Sequence, residues 1–332
     1  MSPQGAVSVS GSPGLTSHLD PIELDLELRR DARKGLSAAG KSIPSKWFYD
    51  YTGSMLFDEI TRLPEYYLTR SERQILQERA AAIVELSGAE AMVELGCGLS
   101  EKTRVLLDAF QGRSTLRRFV PFDVDGKILT QAAGELLDRY PNLEVQGIVG
   151  DFERHLTAIA LPERTLVIFL GSTIGNLEPT QRRALFDRLS ASLKPGDSFL
   201  LGVDLIKDVA IIEAAYNDSA GISAAFNLNM LSVLNDRLGG NFDRDGFRHV
   251  ARFNPETEQM EMFLRSIRRQ RARLQEICLD VDLAFGELIH TEISAKFRRE
   301  GLEAELADAG LKPAQWWTDL DGYFALSLST RS

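Results

Sequence analysis

The sequence predicts an α/β fold in which a parallel sheet domain is interrupted by a second, α+β domain. Over Ser71–Val203, short apolar strands alternate with helical stretches, which is typical of parallel strands joined by crossover helices. The alternation breaks over 206–288 and resumes at about Thr291. We therefore predict a disordered tail (1–17), a sheet domain (71–205 and 291–332) and a second domain made of the N-terminal region (18–70) and an insertion (206–290).

Hydrophobic periodicity and short apolar runs predict the individual elements. An amphipathic pattern predicts a helix over 21–39, and the aromatic-rich stretch 42–73 after it is expected to pack against other parts of the protein. The sheet domain follows with strands at 91–95, 118–122, 143–149, 165–170 and 198–203 and helices at 72–85, 101–110, 125–139 and 180–193. A strand at 291–297, a helix at 299–309 and a strand at 323–329 complete that domain.

Composition and charge limit the classes of function. The 332 residues include 48 acidic and 38 basic side chains, a formal net charge of -10. Proteins that bind nucleic acid usually present a basic face, so a small or zwitterionic substrate is the better expectation. The 4 histidines lack metal-ligand spacing and the 2 cysteines cannot form a disulfide framework, so no metal is expected.

Neither a signal peptide nor a membrane span is predicted. The first residues are rich in Ser, Gly and Pro but lack the basic-then-apolar order of a signal peptide. The longest apolar runs, such as Leu166–Leu170, are far shorter than the roughly 20 residues that cross a bilayer. We expect a cytoplasmic monomer that contacts neither a membrane nor nucleic acid.

A glycine turn follows the first strand of the sheet domain. Residues 93–98 read VELGCG, end a strand and precede a helix, and glycines at such a place let the backbone approach a ligand closely. A glycine turn without a ligand is the alternative. Glu101 stands where a G-x-G-x-x-G fingerprint has its third glycine, which counts against a nicotinamide-dependent dehydrogenase. Glu94 instead resembles the acid in the first motif of Rossmann-like methyltransferases.

Further candidate residues follow the next strands. Asp123 comes after the glycines at about the distance at which an acid meets ribose hydroxyls, while Asp125 is expected to cap a helix, a role open to both acids. Asp151 and Phe152 suit the amino group and the face of an adenine, although a phenylalanine is also common in a core. Residues 171–176 follow the carboxyl end of the fourth strand, where open α/β sheets bind ligands, and are expected to receive a methyl donor and its acceptor.

Together these residues resemble the histidine Nα-methyltransferases of ergothioneine biosynthesis, over about 30–331. The most specific segments are Lys46–Asp50, Leu63–Tyr67, Phe169–Asn176, Thr291–Ser294 and Trp316–Asp319. The resemblance implies a Rossmann-like class I methyltransferase domain that uses S-adenosylmethionine to trimethylate the α-amino group of L-histidine, giving hercynine. It implies that the second domain is a substrate-binding domain. It implies cofactor contacts from Tyr49, Gly96, Lys102, Asp123, Asp151, Phe152 and Gly171. It implies a histidine pocket formed by Tyr66, Asn176, Tyr216, Met262, Glu292 and Ser294.

Glu292 and Ser294 are the pair that best suits an imidazole ring. They are two residues apart on a predicted strand, so their side chains share one face. An acid and a hydroxyl there can provide one hydrogen bond to each ring nitrogen. Without the resemblance, a solvated strand face would be the commoner explanation of such a pair.

The other substrate residues have less specific roles. Asn176 and Tyr216 can donate hydrogen bonds to a carboxylate, or can be a turn residue and a half-buried core residue. Met262 is either core packing or an apolar wall beside the imidazole. Tyr66 is the candidate catalytic residue, which would orient the amine and help its proton leave, directly or through a water. An inert aromatic role is the alternative.

Two other functions stay open at this point. One is methylation of a different free amino acid or amine, because few substitutions retune a pocket. The other is a protein that binds S-adenosylmethionine without catalysis. If the enzyme acts on histidine, the mono- and dimethylated forms of histidine are also its substrates.

Overall fold

The computed structural model describes residues 14–100, 102–158, 161 and 164–331. The chain divides into two compact units: the first comprises residues 1–19, 70–205 and 297–332, the second 20–69 and 206–296. The predicted disordered tail falls outside the described residues over 1–13. Residues 14–17, by contrast, form a strand that pairs in parallel with residues 146–149, so the tail prediction is corrected there.

The strands occupy both units. In chain order they are β1 (Gly14–Ser17), β2 (Lys41–Ser42), β3 (Ala91–Leu95), β4 (Arg118–Asp123), β5 (Glu144–Val149), β6 (Thr165–Phe169), β7 (Ser198–Asp204), β8 (Phe247–Asn254), β9 (Gln259–Ser266), β10 (Gln270–Leu274), β11 (Leu279–Leu283), β12 (Leu288–Ala295), β13 (Leu311–Thr318) and β14 (Phe324–Arg331).

The helices lie between these strands. They are α1 (Pro21–Leu36), α2 (Tyr51–Ile60), α3 (Tyr67–Ser87), α4 (Thr103–Arg113), α5 (Gly126–Arg139), α6 (Phe152–His155), α7 (Pro179–Ser192), α8 (Val209–Tyr216), α9 (Ile222–Leu238) and α10 (Arg299–Asp308). Among the described residues, no helix combines the length and the apolar character needed to cross a membrane.

A single sheet in the order β1-β5-β4-β3-β6-β7-β14-β13 forms the centre of the first unit. Within this sheet, the six neighbouring strands β1, β5, β4, β3, β6 and β7 pair in parallel. Strand β14 is antiparallel to both of its neighbours, β7 and β13. Every residue of β3, β6 and β7 is buried, as expected for parallel strands covered on both faces. The α/β prediction is therefore confirmed.

The direction of strand order reverses between β3 and β6, which lie side by side. Such a switch point opens a crevice beyond the carboxyl ends of the strands, where α/β proteins bind ligands. The loops that follow β3, β4, β5 and β6 all begin at this edge. Asp125 starts α5, since its carboxylate accepts hydrogen bonds from the backbone of Lys127 and Ile128 at 2.8 and 3.2 Å, which confirms the predicted cap.

The second unit contains a four-stranded sheet in the order β2-β12-β9-β8 and the β10–β11 hairpin. Helix α9 packs its buried side chains against the aromatic-rich N-terminal stretch: the rings of Phe48 and Phe226 lie 4.5 Å apart. Trp47 is buried as well, and its indole donates a hydrogen bond to Asp31 at 2.9 Å. The aromatic stretch thus packs within the unit, as expected from its composition.

The boundary between the two units lies later than the sequence indicates. The first unit resumes at Phe297, not at residue 291. The reason is strand pairing: β12 runs antiparallel to β9 of the insertion and parallel to β2 of the N-terminal region. Glu292 and Ser294 therefore belong to the second unit.

Candidate active site

The glycine turn after β3 combines unusual backbone conformation with open space. Gly96 and Gly98 have φ angles of 68° and 49°, in the left-handed region that favours glycine. In the described part of the chain, a Cβ built on either would meet no heavy atom within 4 Å. The backbone N–H of Gly96 donates to the carbonyl of Phe122 at 2.8 Å. The turn is a cradle held by β4, with open space for a ligand beside both glycines.

Asp123, at the end of β4, is tied to this turn. Its carboxylate accepts the backbone N–H of Gly98 at 2.9 Å and that of Asp125 at 3.0 Å. Burial raises the pKa of the Asp123 carboxyl group, and the backbone hydrogen bonds oppose that shift. Asp123 thus fixes the shape of the glycine turn, a structural role that its position in the sequence did not indicate.

Asp151 and Phe152 follow β5 at the same edge of the sheet. Asp151 accepts a hydrogen bond from the backbone of Glu153 at 2.8 Å, which caps the short helix α6. The half-buried ring of Phe152 packs at a steep angle on Phe169, with 5.0 Å between the ring centroids. Part of this aromatic surface stays accessible beside an acid, as contact with an adenine would require.

Glu72 of α3 is a residue of this site that the sequence motifs did not indicate. It is fully buried, and its carboxylate accepts the backbone N–H of Gly171 at 2.8 Å and forms an ion pair with Lys102. Gly202 of β7 makes room for it, since a Cβ there would lie 2.1 Å from the Glu72 Oε1 atom. Glu72 therefore holds two predicted cofactor residues in place.

Glu72→Gln is expected to lower the free energy of unfolding by about 1.5 kcal/mol and to weaken S-adenosylmethionine binding roughly tenfold, because hydrogen bonds to a charged group contribute more than neutral ones. Urea denaturation and calorimetric titration would measure the two effects. Glu78→Gln, an exposed position on the same helix, is the matched control and should change stability by less than about 0.5 kcal/mol. Equal changes in unfolding free energy and in S-adenosylmethionine affinity in the two variants would contradict the role of Glu72.

Glu94 is buried inside the glycine turn. The hydroxyl of Ser100 donates to its carboxylate at 3.2 Å, and Thr103 at the start of α4 donates to the other oxygen. Desolvation raises the pKa of Glu94 to about 8, although these hydrogen bonds act in the opposite direction. Glu94 thus connects the end of β3 to the start of α4 from the inside of the turn.

This raised pKa predicts a pH-dependent stability. Between the ordinary pKa of 4.5 and about 8, the folded protein holds a proton on Glu94 that the unfolded chain has lost. The free energy of unfolding should therefore fall as pH rises through this window, by up to about 1.4 kcal/mol per pH unit from this group. Glu94→Gln cannot ionise, so its unfolding free energy, measured with urea at several pH values, should fall less steeply. Identical slopes for both proteins would contradict the assignment.

In the second unit, Glu292 and Ser294 lie on one face of β12. Their cross-strand partners on β9 are Met262 and Met260, so all four side chains point to the same side of the sheet. Met262 is buried and Glu292 is half-buried. An acid, a hydroxyl and an apolar wall therefore occur together on a single rigid strand pair.

Tyr216 and Lys296 extend this group. The Tyr216 hydroxyl lies 2.8 Å from the Ser294 hydroxyl, and Lys296 Nζ lies 2.9 Å from each of these oxygens. The ring of Tyr66 packs edge-on against Tyr216 at 6.4 Å between centroids. Lys296 did not emerge from the sequence because a lysine near a strand end is usually solvated.

The predicted site residues divide between the units. The first unit contains Gly96, Lys102, Asp123, Asp151, Phe152, Gly171 and Asn176, and the second contains Tyr49, Tyr66, Tyr216, Met262, Glu292 and Ser294. Asn176 ends a 3₁₀ turn (Thr173–Asn176), the turn position considered as its alternative. In the described part of the chain, no three or more His, Cys, Asp or Glu side chains could hold a metal ion.

The sheet order and the glycine turn define the class of protein. A dinucleotide-binding sheet has parallel strands in the order 3-2-1-4-5-6, whereas here the antiparallel β14 lies between β7 and β13. With the glycine turn at the switch point and the acid after the next strand, this is a class I methyltransferase domain. The family described as histidine-specific, S-adenosylmethionine-dependent methyltransferases matches residues 28–331.

Individual relatives agree with this match. The chain is 53% identical over 304 residues to a histidine N-alpha-methyltransferase of Mycolicibacterium smegmatis, covering 92% of this chain and 95% of that protein. It is 50% identical over 317 residues to a histidine N-alpha-methyltransferase of Mycobacterium tuberculosis, covering 96% and 99%. Ergothioneine biosynthesis protein 1 of Neurospora crassa is 28% identical over 303 residues, which cover 84% of this chain and 32% of that protein. The chain belongs to the histidine-specific, S-adenosylmethionine-dependent methyltransferase family.

Proposed function

We propose that this protein transfers three methyl groups in succession from S-adenosylmethionine to the α-amino nitrogen of L-histidine, giving hercynine for ergothioneine biosynthesis. The observation that carries the substrate is the pairing of Glu292 and Ser294 on β12, opposite Met262. The two polar side chains suit the two nitrogens of an imidazole, and the methionine suits its flat apolar face. The names of the two mycobacterial relatives support the same substrate.

The first unit contains residues that fit the cofactor. S-adenosylmethionine supplies a methyl group activated by a positively charged sulfur. The open cradle at Gly96 and Gly98 leaves room for a ligand to approach the backbone. We assign ribose contacts to Asp123 and adenine contacts to Asp151 and Phe152. Lys102 and Gly171, held by Glu72, and Tyr49 of the second unit are the further residues proposed to contact the cofactor.

The protein has mainly to position the amine and to exclude water. A free α-amino group has a pKa of about 8, so a useful fraction is neutral and carries the lone pair that attacks the methyl carbon. As the nitrogen–carbon bond forms, the carbon–sulfur bond breaks. One N–H proton then passes to water before each following transfer. We assign to Tyr66 the orientation of the amine and assistance to the departure of that proton, directly or through a bound water. Asn176 is proposed to donate a hydrogen bond to the carboxylate.

The aromatic rings around Tyr66 suit the product. Tyr66 lies with its ring 6.2 Å from Phe57 and 6.4 Å from Tyr216, measured between centroids. The faces of such rings attract a quaternary ammonium group, whose charge is permanent after the third transfer. We propose that the same cluster also holds the partly methylated amine, so that the mono- and dimethylated forms of histidine are further substrates.

Mass spectrometry of histidine incubated with the protein and S-adenosylmethionine tests the proposal. The expected result is a product with three added methyl groups. One S-adenosylhomocysteine molecule should be released for each methyl group, hence three per histidine. Turnover of tryptophan or another amine in place of histidine would mean a methyltransferase of different substrate. Cofactor binding without turnover of any amine would mean a non-catalytic protein. A monomeric state and a cytoplasmic location stay predictions.

A further inference from the structure

Lys296, Tyr216 and Ser294 form a closed hydrogen-bonded triangle in the second unit. Lys296 Nζ lies 2.9 Å from Tyr216 Oη and 2.9 Å from Ser294 Oγ, and the two oxygens are 2.8 Å apart. All three residues are buried, with exposed fractions of 3%, 8% and 3% in that order. The ammonium group also lies 4.6 Å from the centroid of the Tyr216 ring. The triangle is thus a fixed feature of the interior of this unit.

Counting protons gives the direction of each hydrogen bond. An ammonium group donates and never accepts, so both hydroxyl oxygens accept a proton from Lys296. Tyr216 and Ser294 then bring one hydroxyl proton each, and only one of these two protons can lie in the bond between them. The other must point out of the triangle.

The chemistry of the two hydroxyls decides which proton points outward. A phenol is a far stronger acid than an alkyl hydroxyl and hence the better donor, so Tyr216 donates to Ser294. The Ser294 oxygen now accepts two hydrogen bonds, one from Tyr216 and one from Lys296, which occupies both of its lone pairs. Ser294 can therefore only donate to a third group.

We propose that Lys296 is a positioning residue that fixes Ser294 as a hydrogen-bond donor, so that the pocket accepts a ring with a lone-pair nitrogen facing Ser294. This inference rests on the proposed function. The N–H of the same neutral imidazole then faces the Glu292 carboxylate, which only accepts. Tyr216, with its proton directed to Ser294, holds this serine in place.

Two histidine analogues test the ring contacts of Ser294 and Glu292 separately. In a pyrrole analogue, the ring keeps an N–H but lacks the lone-pair nitrogen, whereas a thiazole analogue keeps the lone-pair nitrogen and lacks the N–H. A site built to hydrogen-bond one ring atom rejects a ring without it, so the unmodified protein should prefer histidine over the pyrrole analogue by at least about 100-fold in kcat/KM. Ser294→Ala should reduce that preference to within about fivefold, since no donor is left.

Lys296→Met tests the positioning role directly. Methionine retains the unbranched shape but neither charge nor donors, so the Ser294 proton is no longer forced outward. The preference for histidine over the pyrrole analogue should fall by about tenfold or more, while the preference over the thiazole analogue, which reports on Glu292, should change by less than about threefold. If Lys296→Met does not fold, as judged from its thermal melting and S-adenosylmethionine affinity, Lys296→Leu, which also lacks charge and donors, provides the same comparison.

The outcomes separate this inference from the proposed function. If the unmodified protein fails to methylate histidine, the proposed function is lost and the inference with it. If histidine is methylated but folded Lys296→Met retains the full preference over the pyrrole analogue, only the inference is overturned. It is also overturned if Tyr216→Phe abolishes that preference while Ser294→Ala preserves it, because the outward proton would then belong to the tyrosine.

Discussion

Glu292→Ala should raise the KM for histidine by on the order of 100-fold while the Kd for S-adenosylmethionine changes by less than about twofold. The change removes a charged acceptor from the face that Glu292 shares with Ser294, opposite Met262. A hydrogen bond to a charged group contributes about 1.5–3 kcal/mol, and its loss leaves the ring N–H of the substrate unpaired. Steady-state kinetics with calorimetric titration of the cofactor would measure both quantities.

Glu261→Ala is the matched control for this experiment. Glu261 lies on the neighbouring strand β9, opposite Ile293, and its carboxylate pairs with Arg252 at 3.2 Å. Removing it takes one carboxylate from the same sheet without removing a proposed substrate contact. Histidine kinetics that respond equally to both substitutions would show a general effect on the sheet. Unchanged kinetics in Glu292→Ala would exclude the imidazole contact.

Asp123→Ala should produce the opposite separation, with cofactor affinity reduced by on the order of 100-fold. Two effects combine here. The ribose hydroxyls lose a charged acceptor, and Gly98 loses the carboxylate that accepts its N–H at 2.9 Å, which loosens the turn. Calorimetric titration with S-adenosylmethionine measures the loss. Asp123→Asn, which retains an acceptor oxygen for Gly98, should preserve more of the affinity than alanine does.

Asp125→Ala serves as the control for Asp123, two residues away. Asp125 caps α5 through the backbone of Lys127 and Ile128, so its removal should cost about 1 kcal/mol of stability. Cofactor affinity should change by less than about threefold in this variant. Normal cofactor binding in Asp123→Ala would overturn the ribose assignment, whatever the effect on stability.

The fold of the first unit could be predicted from sequence because its strands are continuous apolar runs separated by amphipathic helices. The predicted strand at 91–95 and the element bounded by Asp125 agree closely with β3 and α5. Strand partners are not encoded locally, however. The run that begins at Thr291 could be identified as a strand but not assigned to the sheet of the second unit. The short strand β1 carries too little apolar pattern to be recognised.

The site residues, too, could be predicted where a local pattern marks them and not where they depend on contacts distant in the chain. Asp123 and Gly96 follow apolar strands at a recognisable spacing, and Glu292 with Ser294 shows the period of a strand. Glu72 gave a weaker signal: an acid on the same helix face as the buried Ile75 and Leu76, at the spacing of an apolar stripe. Nothing in the sequence near Lys296 indicates its role, because the triangle joins residues far apart in the chain.

The position of the transferred methyl groups tests the central claim most directly. With histidine and S-adenosylmethionine labelled with carbon-13 in its methyl group, nuclear magnetic resonance of the product should show one signal from three equivalent methyl carbons on the α-nitrogen. Labelled methyl carbon on a ring nitrogen, or no transfer to histidine at all, would contradict the account.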